Sequence, residues 1–301
     1  MLPLYIEKLS IPELIERSNK LNYLLESCTI CPNQCGIDRR YDNSGLCHST
    51  DKVIITSVSP HYGEEPPLVG RFGSGTIFFT NCNLSCEFCQ NYDISHLGAG
   101  REVSIQELAE SMLALQNRGC HNINLVTPTH FAPKIVSALI IAIEKGLEIP
   151  IVYNCGGYES VETLKLLDGI IDIYMPDIKY SINENALKYS GIENYWGVVQ
   201  SAVREMQRQV GDLKINRSGI AQRGLLIRHL VLPNQIAGSE KVLDFIADEL
   251  SKDSYVNIMD QYRPAYLAYH YDEINRRITR NEYQEVIQYA LKIGLSRGFS
   301  W

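Results

Sequence analysis

Gly73-Ser74-Gly75-Thr76-Ile77-Phe78-Phe79-Thr80-Asn81-Cys82-Asn83-Leu84-Ser85-Cys86-Glu87-Phe88-Cys89-Gln90-Asn91 starts on glycines, passes through a β-branched and aromatic run, and breaks into three cysteines. The run reads as a strand and the cysteines as the loop that follows it. The spacing Cys82-x3-Cys86-x2-Cys89 offers three thiolates, enough for three corners of an iron-sulfur cube and one too few to close it. Structural zinc sites take four ligands, usually from paired short knuckles, so an isolated trio fits them poorly. A partial site completed by a distant residue is the other bland reading. An iron left without a protein ligand is a place where chemistry can be done.

Downstream of this loop, strand and helix alternate. Ser104-x2-Glu107 caps a helix carrying Ile105, Leu108, Met112 and Leu115, and Asn122–Val126 is the next strand. A helix from about Ala132 to Lys145 leads to Pro150–Tyr153 and then to a short helix through Leu164 and Leu167. Ile171–Met175 is the fourth strand, Val198–Val210 a helix, Gly224–Leu232 the fifth strand, and Lys241–Leu250 a helix. Tyr255–Met259 is the sixth strand, and Thr279-x2-Glu282 caps a final helix. Repeated units of this length require parallel strands with right-handed crossovers. The expected fold is therefore α/β, a partial (β/α)6 TIM-like barrel over residues 71–301.

Residues 1–70 read as a separate, small N-terminal metal-binding module and linker. Ser10-Ile11-Pro12-Glu13 is a capping box with an early proline, and the helix it starts leads into Cys28-x2-Cys31-x3-Cys35-x11-Cys47. The segment has too few apolar residues for a core of its own, and such modules are commonly stapled by metal. Cys28, Cys31, Cys35 and Cys47 suit a closed site, either zinc or an auxiliary iron-sulfur cluster. That site would hold the module together, relay electrons or bind substrate. His48 is a substitute ligand or ordinary surface. Val53–Ile55 reads as a short strand, and His61–Pro67 as a loop whose Glu64 and Glu65 are solvated charge or a contact for a substrate or cation.

The chain has 301 residues, 45% of them hydrophobic and 21% charged, with a formal net charge of −7. No basic stripe points to nucleic acid. No apolar stretch reaches the roughly 18–20 residues of a membrane span, and Met1–Lys8 lacks the order of a signal peptide. The expectations are no nucleic acid, no membrane and a cytoplasmic location. Of nine cysteines, seven sit in the two clusters, which in a reducing compartment argues for metal ligation over disulfides.

The three-cysteine spacing, with Phe88 just before the third cysteine, resembles the signature of the radical S-adenosylmethionine (SAM) superfamily. More narrowly, Tyr153–Tyr158, Tyr174–Lys179 and Ile227–Pro233 look like the pyruvate formate-lyase activating-enzyme-related branch. Gly63–Pro66, Gly73–Phe79, Val126–His130 and Met259–Tyr262 resemble a subgroup that also carries the N-terminal four-cysteine module. The resemblance covers nearly the whole chain. It implies a [4Fe-4S] cluster on Cys82, Cys86 and Cys89 whose open iron takes SAM, and an oxygen-sensitive oxidoreductase that cleaves SAM to a 5′-deoxyadenosyl radical. It also implies a reductant such as flavodoxin or ferredoxin, and a substrate that is a protein, a peptide or a small molecule. Asp177 and Lys179 match the Asp-x-Lys that lies beside SAM in the activating enzymes, and Asn154-Cys155 fall where those enzymes place an Asp-Thr pair. Thr127–His130 replaces their Gly-Gly-Glu, and Arg263 stands where a histidine is expected, two departures that speak against glycyl-radical activation without removing it as an alternative.

In (β/α) barrels the working residues sit at the C-terminal ends of the strands. Each strand here ends in polar side chains, which gives provisional roles. Backbone groups at Phe88, Gln90 and Asn91 are placed for the adenine. Lys179 or Arg263 would hold the SAM carboxylate, Asn154 or Asp177 its ribose hydroxyls, and Thr127 or Thr129 its ammonium. His229 is a substrate contact or a satisfied core histidine. Two other functions compete with hydrogen abstraction in general: activation of a glycyl-radical enzyme, and a non-catalytic iron-sulfur or zinc scaffold.

Overall fold

The computed structural model describes residues 1–299. Nine strands form one sheet: β1 (Val53–His61), β2 (Ser74–Phe79), β3 (Arg101–Val103), β4 (Ile123–Val126), β5 (Ile151–Cys155), β6 (Ile173–Pro176), β7 (Lys214–Ile215), β8 (Ala221–Leu230) and β9 (Tyr255–Met259). Six of them, β2, β4, β5, β6, β8 and β9, pair in parallel in that order, as the alternating sequence requires. The result is the partial (β/α)6 barrel.

Helices sit outside because their apolar stripes need cover and the strands supply it. Ile105–Asn117 buries Leu108, Ala109, Met112 and Leu115, and its start is the expected capping box, with Ser104 N donating to Glu107 Oε2 at 2.8 Å. The same device starts the helices Ile11–Tyr23 at Ser10 and Arg280–Lys292 at Thr279. An N-cap of this kind is worth about 1 kcal/mol.

Three antiparallel strands were not expected in full. β1 is longer than the Val53–Ile55 read from sequence, because Ser57–His61 continue pairing with β2 as far as Ser74. The sheet thus begins before residue 71. β3 pairs with β1 and β7 with β8, both too short to show a period in sequence. Asn183–Ser190 adds a helix between β6 and the helix read from Val198.

The N-terminal helix Ile11–Tyr23 lies against the barrel helix Ala132–Glu144, where the hydroxyls of Ser18 and Ser137 bond at 2.8 Å. Upstream, Asp172 accepts from the Leu4 and Ile151 amides at 2.7 and 2.9 Å, tying the first residues to β5 and the approach to β6. The lower part of the lumen has its own small core, in which Leu68 meets Val152, Ile173, Met175 and Leu226.

The sheet does not close: β1 and β9 are not paired. Across that opening the loop after β1 reaches the last two strands. Asn257 Nδ2 donates to Glu65 Oε1 at 2.9 Å, and Arg228 Nη1 lies 3.5 Å from Glu64 Oε2.

Candidate active site

β2 delivers the three-cysteine loop onto the top of the barrel through Asn81, whose φ of 66° turns the chain sharply before Cys82. The loop is held from two sides. Asn83 Nδ2 donates to Tyr158 O at 2.7 Å, and Asn33 Nδ2, from between Cys31 and Cys35, donates to Asn83 O at 2.9 Å. Asn81 Nδ2 donates to Ser49 Oγ at 2.8 Å. Beneath it, His130 Nε2 donates to Thr80 O at 2.8 Å, and the His130 carbonyl accepts from Arg39 at 2.7 Å. Burial and the neighbouring guanidinium push His130 down to about 3, so it is neutral and serves as a fixed strut.

Cys82, Cys86 and Cys89 line one cavity of about 260 Å³ together with Phe88, Gln90, Asn91, Thr127, Asn154, Asp177 and Lys179. These ten sequence-derived candidates therefore converge. Thr127 does so with φ of 58°, costly for a β-branched residue and found here at a strand end that faces the cavity. Phe88 is buried with its ring edge-on to Tyr180 and Tyr262.

Three candidates stand elsewhere. Thr129 is turned inward and donates to Glu159 Oε1 at 2.7 Å. His229 does not line the cavity: its Nδ1 donates to Ile178 O at 2.7 Å, and its Nε2 accepts from Ser239 Oγ at 2.8 Å. The reason is the two-residue period of a strand. Arg228 and Leu230 point into the lumen, so His229 must point out, where burial lowers it to about 4. Arg263 is exposed and also outside the cavity lining.

The hub that sequence reading missed is Arg228. Its Nε donates to Asp177 Oδ1 at 2.6 Å and its Nη2 to Asn154 Oδ1 at 2.8 Å, while Lys179 Nζ bonds Asp177 Oδ2 at 2.8 Å. Burial alone would raise the Asp177 carboxyl, but Arg228 and Lys179 outweigh it and hold it at about 2. Asp177 is thus an ionised, fixed acceptor. No local signal in β8 selects Arg228 over its neighbour.

Gly157 makes this arrangement possible. It has φ of 75°, and a Cβ there would lie 2.7 Å from the Asp177 carbonyl. Gly157→Ala should destabilise the protein by about 1–3 kcal/mol by displacing Asp177. Thermal unfolding would check the effect.

Glu159 is a second missed residue, 1% exposed, accepting from Thr129, from Tyr153 at 3.3 Å and from Cys155. Burial pushes its carboxyl up to about 7. The folded state therefore keeps a proton that the unfolded chain releases, so Glu159 stabilises at low pH, and that contribution is lost as pH rises from about 4.5 to about 7. Glu159→Gln should shrink the fall in unfolding free energy between pH 5 and pH 7 by about 2 kcal/mol, measured by urea titration at each pH. Asp172, also raised to about 7 by burial, leaves a parallel trend in the variant.

A parallel barrel with three half-buried to buried thiols and an Asp-Lys-Arg group lining one cavity at its mouth is an arrangement suited to holding a metal cluster. The family model of the radical SAM superfamily matches residues 76–220. An uncharacterised protein of Methanocaldococcus jannaschii is 33% identical over 282 residues, covering 90% of this chain and 76% of the relative. The chain belongs to the radical SAM superfamily. A radical SAM methyltransferase from Sphaerobacter thermophilus has a similar fold, with TM-score 0.51 and 14% identity over 75% of this chain and 65% of that one. HydG, a maturase of the [FeFe]-hydrogenase, gives TM-score 0.51 and 12% identity over 97% of this chain and 64% of its own. The chain thus spans just under two thirds of these two solved chains.

Membership implies a [4Fe-4S] cluster and SAM, and the residues present fit them. Among the described residues no three His, Cys, Asp or Glu side chains stand close enough to share one metal ion. Thiolates on a cube bind separate irons and so stand further apart than ligands of one ion. Burial and mutual repulsion raise the Cys82 thiol strongly and Cys86 to about 11, a set that becomes thiolate only against a cationic core. No helix among the described residues is long and apolar enough to cross a membrane.

Proposed function

We propose that Cys82, Cys86 and Cys89 hold a [4Fe-4S] cluster at which SAM is reductively cleaved, and that the resulting 5′-deoxyadenosyl radical abstracts hydrogen from a protein, peptide or small-molecule substrate. The observation that carries the reading is the shared cavity: the three cysteines and the Asp177-Lys179-Asn154 group line the same walls. When bound, the cluster supplies one electron and a Lewis-acidic iron. The chain's own groups then orient SAM. Lys179 presents a cation to its carboxylate, Asp177 and Asn154 present acceptors to its ribose hydroxyls or ammonium, and Phe88 walls the adenine side. Reduction of the anaerobically reconstituted protein with dithionite in the presence of SAM should release 5′-deoxyadenosine; none above background would sink the reading.

Activation of a glycyl-radical partner is the narrower version, supported by the Asp-x-Lys motif; the Thr127–His130 loop in place of Gly-Gly-Glu speaks against it. A non-catalytic scaffold would need no Asp177-Lys179-Arg228 group facing the thiols.

The module at Cys28, Cys31, Cys35 and Cys47 is proposed as a second, closed metal site. Cys28, Cys31 and Cys47 are buried, and their charges act on one another. Cys35 Sγ lies beside Gly45, where a Cβ would approach it to 3.2 Å. A variant lacking Cys82, Cys86 and Cys89 should retain about four irons per chain by plasma emission analysis if the four thiols hold a cluster, or about one zinc if they draw together onto a single ion as it binds, and metal-free protein would refute the site.

A further inference from the structure

Below the candidate SAM cavity the barrel lumen is polar on one side, and two side chains there carry polar atoms without partners among the described residues. Phe78, Val126 and Asn154 face the cavity, so Thr76, Asn124 and Val152, two residues earlier on the same strands, face the lumen beneath it. Asn124 is fully buried, and neither its Oδ1 nor its Nδ2 has a partner among the described residues. Across the lumen, Glu65 is 5% exposed. Its Oε1 accepts from Asn257, which lies beside Arg228 in the register of β8 and β9, while its Oε2 has no partner among the described residues. Buried polar groups are almost always satisfied, so an amide and a carboxylate oxygen left open in one lumen call for a partner, whether water, ion or ligand.

Charge narrows the choice. Three carboxylates, Glu64, Glu65 and Asp177, face two permanent cations, Arg228 and Lys179, and His61 Nδ1 stands 3.6 Å from Glu64 as a partner that is charged only when protonated. Asp177 is engaged by both cations, and Glu64 lies 3.5 Å from Arg228, whereas Glu65 stays 4.0 Å from it. With His61 neutral, one negative charge is in excess, and the open oxygen sits on Glu65. A buried surplus carboxylate is costly until a cation meets it.

We propose that this lumen, through Glu65 and Asn124, recognises the positively charged amine head of an organic substrate. An ammonium group brings three donors, enough for Glu65 Oε2 and Asn124 Oδ1 together. The inference rests on the radical SAM reading, since it places the amine beneath the position at which SAM would be cleaved.

The test uses the reconstituted full chain saturated with SAM, with n-pentylamine as the probe and pentan-1-ol and pentanoate as its neutral and anionic counterparts. Calorimetry should show binding of the amine only, weakened at least about tenfold in Glu65→Gln and in Asn124→Ala, as expected for loss of a charge-assisted hydrogen bond. Neither residue lines the SAM cavity, so retained SAM affinity reports an intact fold; if Glu65→Gln loses it, Asn124→Ala carries the comparison. Unchanged amine affinity in the folded variants, equal binding of pentanoate, or displacement of the amine by SAM would overturn the proposal. So would displacement by potassium chloride at constant ionic strength, which would assign the site to a free alkali ion. Release of 5′-deoxyadenosine is followed in the same samples. Its absence with amine binding intact fails only the radical SAM reading, and loss of amine binding with release intact fails only this one.

Discussion

Cys86→Ala is expected to abolish release of 5′-deoxyadenosine from SAM, to below about one hundredth of the parent protein, because two thiolates do not hold a cube with one defined open corner. Cys86 is the best choice of the three. Its thiol is 7% exposed and accepts from Ser190 Oγ at 3.1 Å, and alanine removes only the sulfur from a loop pinned at Asn81 and Asn83. The fold should survive, which circular dichroism checks, while iron falls by about four per chain. Retained 5′-deoxyadenosine release in a variant that had lost this iron would contradict the role given to the loop.

Arg228→Leu should have the largest effect on stability. It leaves Asp177 facing Lys179 alone and strands Glu64 in the lumen, and breaking a buried ion pair by removing one partner costs about 3–5 kcal/mol. At about 2–4 °C per kcal/mol for a chain of this size, Tm should fall by about 10 °C. SAM affinity should fall with it, since Asn154 and Asp177 lose the fork that orients them. Arg228→Lys restores the charge without the planar fork and should recover part of the Tm but little of the affinity. Equal Tm for the leucine variant and the parent would remove Arg228 from the centre of the site.

Much of the site was legible because its signals are local. The cysteine spacing lies within one loop, the Asp-x-Lys lies at one strand end, and the capping boxes at Ser104 and Thr279 depend only on residues three apart. His229 drew a role and Arg228 did not, although the two are neighbours in one apolar strand. Only the direction of β8 within the barrel decides which of two neighbours sees the lumen. Thr129 was misplaced for a related reason: the chain turns at Thr127, with positive φ, and carries the next hydroxyl behind the strand to Glu159. Glu64 and Glu65 read as loop charge because no Lys or Arg lies within five residues of them and only His61, 3.6 Å from Glu64, pairs locally. Their partners, Arg228 and Asn257, lie 164 and 192 positions away along the chain.

What the sequence determined by itself is the repeat of strand and helix, hence a parallel barrel, and the three thiols at the end of its first strand. Both follow from hydrogen-bonding period and residue chemistry over a few neighbouring positions. The tertiary structure alone decided which side chains share the lumen, because that depends on the register of six strands at once. It also decided that the barrel's open side is bridged by Glu64 and Glu65, leaving an unmatched carboxylate oxygen and an unpartnered amide in its interior.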